Sequence, residues 1–192
     1  MGIILTRGVE QYSSFLKDEL KDIHDKKIVD LGCGKGSQFV YFLKKYHFMP
    51  KRLIHLDANP DSLKFENRKN LRACGDNGLT TIDYIKEHYD DPEMSFVGIC
   101  YPMIDDLRIG RDAQCLPLKD KSINIVHQNF MFADNQLVDK DSVVSEVYRI
   151  LKEKGLYLID DEIPDNIESV GFRKIREMKD SLLKFKLYEK LN

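Results

Sequence analysis

No apolar run in this sequence approaches the length of a bilayer span, so no membrane role is expected. The first residues, MGIILTRG, lack the basic start and long apolar core of a secretion signal. Cysteine is scarce. Cys33, Cys74, Cys100 and Cys115 stand far apart, and no pair has the spacing of a zinc ribbon or a redox motif. No metal site is expected, and a reducing cytoplasm is the expected compartment. An excess of one charge is missing too. With 30 Lys and Arg against 32 Asp and Glu, the formal net charge is -2 and the pI about 6.2. Nothing in that balance pulls the chain toward nucleic acid or an anionic membrane.

What is present is enough for one domain. The chain has 192 residues, 42% of them hydrophobic, which suits a single unit spanning 1–192 with a sizeable core. Residues 9–23 put Val9, Tyr12, Phe15, Leu16, Leu20 and Ile23 on one helical face. The segment 1–25 is therefore read as a helix that covers the sheet, or as a lid with Tyr12 pointing into a pocket. An apolar strand over 27–31 then enters Gly32-Cys33-Gly34-Lys35-Gly36, and a helix over 37–47 follows. Such a strand, glycine turn and helix N-terminus face backbone N–H groups toward a ligand.

Met49-Pro50-Lys51 breaks that helix. Arg52 to Asp57 reads as a second buried strand, and Asn59-Pro60-Asp61 opens a helix over about 61–72. Strand, helix, strand, helix implies βαβ units and a parallel sheet. Residues 73–104 break the alternation and are read as an insertion that could shape a substrate site. A third core strand is expected at about 106–110 and a fourth over Ile123 to Gln128. Asp141 can cap a helix carrying Val143, Val144, Val147, Tyr148, Ile150 and Leu151, which Gly155 ends. A strand over Leu156 to Ile159 follows. The tail from Gly171 suits two antiparallel strands joined near Lys179-Asp180-Ser181.

A glycine trio alone is a weak signal. Asp57 strengthens it: it ends the second strand 21 residues after Gly36, where a carboxylate can accept from both ribose hydroxyls. With these elements in view the chain resembles the class I S-adenosylmethionine-dependent methyltransferases, of the type that acts on small molecules. Four stretches carry the resemblance, in order. VDLGCGKGS is similar to the family's first motif and LIHLDANP to its second. DAQCLPLKDKSINIV resembles D-A-x-x-L-P-F-x-D-x-S-F-D-x-V, and SEVYRILKEKGLYLIDDE resembles E-x-x-R-V-L-K-P-G-G-x-L. The chain departs from the pattern at Asn124, Glu153 and Lys154, where the family has an acid, a proline and a glycine.

The resemblance implies a Rossmann-like α/β fold: a mostly parallel seven-stranded sheet flanked by helices, with an antiparallel strand at the C-terminal edge. It implies S-adenosylmethionine as cofactor. Gly32, Cys33 and Gly34 would pass its methionine portion, with Asp30 organising the turn, directly or through water, toward the cofactor ammonium. Asp57 would bind the ribose, Ala58 and Asp112 with Ala113 the adenine, and Asn129 would face the sulfonium and the substrate. For a base, should the acceptor need one, His127, Asp134 and Asp160 stand at strand ends. Each has a plainer reading: His127 as a core histidine, the acids as solvated strand ends. His24 and His55 are read as structural.

The family's [D/N/S]-P-P-[Y/F] signature is replaced by Asn129-Phe130-Met131-Phe132, and no Pro-Cys pair occurs. Both absences disfavour nucleobase methylation. A small-molecule acceptor is the expectation, with Phe130, Met131 and Phe132 available to line an apolar pocket. Three alternatives stand beside it: transfer to protein or RNA, which the basic tail from Arg173 to Lys190 would serve; cofactor binding without transfer; and nicotinamide oxidoreduction, disfavoured by G-x-G-x-G.

Overall fold

The computed structural model describes residues 12, 14–16, 18–33, 39, 42–43, 46–57, 107–110, 113–128, 139–159, 166–179 and 184–192, with backbone alone for 57 and 107–110. The expected helix over 61–72 and the insertion 73–104 lie outside these residues. Seven strands form one sheet: β1 (Lys27–Leu31), β2 (Arg52–Asp57), β3 (Leu107–Gly110), β4 (Ile123–Gln128), β5 (Leu151–Ile159), β6 (Phe172–Lys179) and β7 (Lys184–Lys190). Their order is β3-β2-β1-β4-β5-β7-β6. The first five are mutually parallel, and β7 runs antiparallel between β5 and β6. The final strand therefore sits one place in from the edge.

Alternate residues of each strand point to opposite faces. Val29, Leu31, Ile54, Leu56 and Val126 pack in one buried layer with the helix α1 (Lys140–Ile150). Ile28, Leu53, Ile125 and Leu158 pack in the other with Tyr12, Phe39, Phe42 and Phe185. Both faces of β1, β2 and β4 are covered, which is why these strands read as near-continuous apolar runs.

Two boundaries differ from the sequence expectation. Asp139, rather than Asp141, caps α1: its carboxylate accepts from Asp141 N–H at 3.1 Å and Ser142 Oγ at 2.5 Å. The helix stops at Ile150, and Leu151 already begins β5. Gly155 is thus no helix terminus. It closes a local irregularity, where Leu151 pairs with Ile123 and Leu156 with Ile125, so residues 152–155 stand opposite Asn124 alone. A Cβ on Gly155 would meet Lys152 O at 2.8 Å. The helix before β2 also ends before its proline. His47 takes a left-handed conformation (φ 57) and Phe48 N–H donates to Leu43 O at 2.7 Å, a Schellman-type stop. Among the described residues no helix is long and apolar enough to cross a membrane.

Candidate active site

The sheet changes direction of growth between β1 and β4: β2 and β3 lie on one side of β1, β4 and β5 on the other. In open α/β sheets ligands bind outside the carboxyl ends of strands at such a switch point. The glycine turn leaves β1 at this place. Gly32 takes φ 66, a left-handed conformation that favours glycine. Its N–H donates to Leu56 O at 2.8 Å, and Cys33 N–H reaches the same carbonyl at 3.3 Å. The start of the turn is therefore pinned to the end of β2, one residue before Asp57.

Beneath the turn lies a row of polar side chains that spacing along the chain did not show. Asp30 is the register partner of His55 on β2 and of His127 on β4. All three are buried and share the face of Ile28, Leu53 and Ile125. His127 Nδ1–H donates to Asp30 Oδ1 at 2.7 Å, and His55 Nδ1 stands 3.4 Å from Oδ2. Burial pushes the Asp30 carboxyl up, but the hydrogen bonds and charges of the two imidazoles outweigh that and hold it below the usual carboxylate range. With Nδ1 protonated, neutral His127 accepts at Nε2 from the Tyr12 hydroxyl, 3.3 Å away. Its ring stacks on Phe39 with centroids 4.6 Å apart. The network assigns this tautomer.

The other face of β4 carries Gln128, also fully buried. Its Oε1 accepts from the Tyr157 hydroxyl, while its amide Nε2 has no partner among the described residues. Here, at the switch point, is a buried donor aimed at no polar group among the described residues. Ala113 is buried against the Leu31–Leu56 layer, beside Leu116. Asp57 is placed by its backbone at the end of β2, paired with Gly110. Gly34, Ala58, Asp112, Asn129, Asp134 and Asp160 lie outside the described residues. The structure thus brings Asp30, Gly32, Cys33, Asp57, Ala113 and His127 to one end of the sheet. It adds His55 and Gln128, for which the available signal was a polar residue deep in an otherwise apolar strand.

A family model described as a methyltransferase domain matches residues 29–159, from within β1 to the last residue of β5. The chain belongs to that family. It is a methyltransferase whose cofactor is S-adenosylmethionine. No curated protein matches its sequence. Among solved structures it is similar to the PH0226 protein of Pyrococcus horikoshii, at 18% identity and a TM-score of 0.61, over 96% of this chain and 90% of that one. It is also similar to a SAM dependent methyltransferase from Aquifex aeolicus, at 15% identity and a TM-score of 0.55, over 99% and 100% of the two chains. Identities this low speak to the fold alone.

The methyltransferase's E-x-x-R stretch acquires a physical reading. Arg149 donates from Nε and Nη2 to the Glu146 carboxylate, both at 2.8 Å, and to the Leu116 and Leu118 carbonyls, also at 2.8 Å. Glu146 Oε2 accepts in turn from Leu116 N–H at 2.8 Å. A fork on α1 thereby clamps the loop that carries Ala113 and Leu116. The guanidinium holds the Glu146 carboxyl below its ordinary value.

Proposed function

We propose that this methyltransferase acts on a small-molecule acceptor. The observation that carries the reading is the use made of the basic tail. Arg173 pairs with Glu189 at 2.5 Å, Lys174 and Lys179 with Glu177 at 3.1 and 3.3 Å, and Arg176 with Glu19 at 3.1 Å. Lys190 is buried, donating to Tyr148 O at 2.7 Å and Leu151 O at 2.9 Å. Lys184 and Lys186 are left outside these pairs. Among the described residues the tail is an internally compensated hairpin, a poor match for a polyanion. On the opposite face of the sheet from α1, Tyr12 is buried among Phe39, Phe42 and Phe185, so this residue, with the buried Phe15 and Leu16, packs beside the site as a cover for a compact acceptor would.

When bound, S-adenosylmethionine supplies an electrophilic methyl group on a sulfonium. The chain's own residues fit such a ligand: a left-handed Gly32 without a Cβ at the turn, and the unmatched Gln128 amide at the switch point. In this reading Gly32, Cys33 and Gly34 flank the methionine portion. Asp57 holds the ribose, Ala58, Asp112 and Ala113 the adenine, and Asn129 borders the reacting side. The protein's contribution is to hold donor and acceptor close and aligned. His127 is a positioning residue here. One ring nitrogen is occupied by Asp30 and the other faces Tyr12, so among the described residues its route to an acceptor proton is the Tyr12 hydroxyl. Asp134 and Asp160 remain the candidates for direct proton removal. A cytoplasmic location accords with the scattered cysteines.

The test is incubation with methyl-labelled S-adenosylmethionine and a fractionated cell extract. Label should enter the small-molecule fraction. Label confined to protein or RNA would overturn the acceptor assignment while leaving methyl transfer intact.

A further inference from the structure

β6 is an edge strand of the sheet, yet one of its cations is turned onto the N-terminal segment. We propose that Arg176 is a positioning residue for methyl transfer: it fastens the helical turn that carries Tyr12 to the C-terminal hairpin, and so holds the Tyr12 hydroxyl against His127. This role rests on the reading that Tyr12, Phe15 and Leu16 cover the acceptor side.

The first support is a bulge. Lys174 stands opposite Tyr188 and Arg176 opposite Leu187, which leaves Ile175 without a partner on β7. In an uninterrupted strand Ile175 would face Leu187, and Arg176 would turn to the other side of the sheet. Leu187 and Phe185 belong to the buried layer of Tyr12 and Phe15. The bulge therefore leaves an isoleucine 42% exposed and delivers a guanidinium to the N-terminal segment in its place. The second is what that guanidinium meets. Nη1 donates to the Phe15 carbonyl, and Nη1 and Nη2 face the two Glu19 carboxylate oxygens at 3.4 and 3.1 Å. Its carbon lies 5.7 Å from the centre of the Phe15 ring. One planar group thus holds a carbonyl, a carboxylate and a ring, which a lysine cannot do.

The third is the stiffness of what is held. Leu16 N–H donates to Tyr12 O at 2.8 Å, so Tyr12 and Phe15 share one helical turn. Their rings meet the Phe185 ring at centroid distances of 4.6 and 5.8 Å. Lys26 Nζ donates to Glu19 O at 2.6 Å, tying the segment to the approach to β1. At its other end the Tyr12 hydroxyl lies 3.3 Å from His127 Nε2. Displacing Phe15 therefore moves Tyr12 against β4. The rival reading gives Arg176 only the duty of its neighbours, since cations and bulges on an edge strand blunt pairing with another chain. Arg173 serves that duty equally.

The imidazole nitrogen NMR resonances of the full chain separate the two. His127 is assigned by the signals lost in His127→Gln, and Tyr12→Phe marks where Nε2 moves when the hydroxyl is gone. Arg176→Ala should move Nε2 in the same direction and Arg176→Lys only part of the way. Arg173→Ala, at an exposed cation paired with Glu189, should not move it. Glu19→Gln weakens the same fastening from the other side and should give a smaller shift, so the answer does not hang on one variant folding. Transfer from methyl-labelled S-adenosylmethionine into the small-molecule fraction should fall about tenfold in Arg176→Ala, with S-adenosylhomocysteine affinity unchanged. An Nε2 signal unmoved in Arg176→Ala and Glu19→Gln, an equal shift in Arg173→Ala, full rescue by lysine, or undiminished transfer would overturn the proposal. Label entering only protein or RNA would sink the acceptor reading alone, because the His127 signals are read with no acceptor present.

Discussion

Replacing Arg149 with alanine tests whether the E-x-x-R stretch works as a clamp. The change strips donors from the Glu146 carboxylate and from the Leu116 and Leu118 carbonyls. It also breaks the 2.5 Å contact to Asp120, but that side chain is 73% exposed, so the pair contributes little. Hydrogen bonds to charged groups contribute about 1.5–3 kcal/mol each, and water can replace part of what a one-third-exposed side chain supplied. A net loss of about 2–4 kcal/mol follows. At about 2–4 °C per kcal/mol for a chain of this size, Tm should fall by roughly 5–15 °C. Urea unfolding should show the same loss as a lower midpoint with the slope unchanged. Arg149→Lys should recover only part, because a point charge cannot satisfy a carboxylate and two carbonyls at once. The loop bearing Ala113 should loosen, so S-adenosylhomocysteine affinity should drop in the alanine variant at temperatures where it remains folded. Stability within about 0.5 kcal/mol of wild type, or full rescue by lysine, would refute the clamp.

Glu146 gives the pH counterpart. Its folded carboxyl lies below its ordinary value of 4.5, chiefly through Arg149, so its contribution is present above that pH and lost as pH falls through the folded value. The stability gap between wild type and Glu146→Gln should therefore close progressively below about pH 4.5 in acid-denaturation curves. Gly32→Ala forces a Cβ into a left-handed turn, and should cost about 1–2 kcal/mol in thermal unfolding while weakening cofactor affinity. Lys190→Met leaves the Tyr148 and Leu151 carbonyls without their ammonium and should cost about 1–3 kcal/mol in urea unfolding, with cofactor affinity unchanged. Tyr12→Phe keeps the ring packing and removes one 3.3 Å contact, so stability should shift by less than about 1 kcal/mol. A much larger fall in methyl transfer at unchanged cofactor affinity would place the Tyr12 hydroxyl in the proton path.

The parallel core was legible because buried strands are short apolar runs bounded by turns. Ile28 to Leu31, Arg52 to Asp57 and Ile123 to Gln128 lie in strands as read. Where the reading failed, two local signals competed. Asp139 and Asp141 both offer a capping carboxylate, and only the backbone decides between them. Leu151 continues the apolar set of α1 in phase, so nothing in its burial distinguishes a helix position from the first residue of β5. The Asp30–His55–His127 row was invisible for a different reason. Its members become neighbours through strand register across a crossover, with His127 97 residues from Asp30.

Isothermal titration of the intact chain with S-adenosylhomocysteine, repeated on Asp57→Ala, tests the central claim most directly. The site at the β1 switch point predicts saturable heat at one equivalent for the wild type and a strong loss of affinity in the variant. No heat from the intact chain, or saturable binding of NADH in its place, would contradict it.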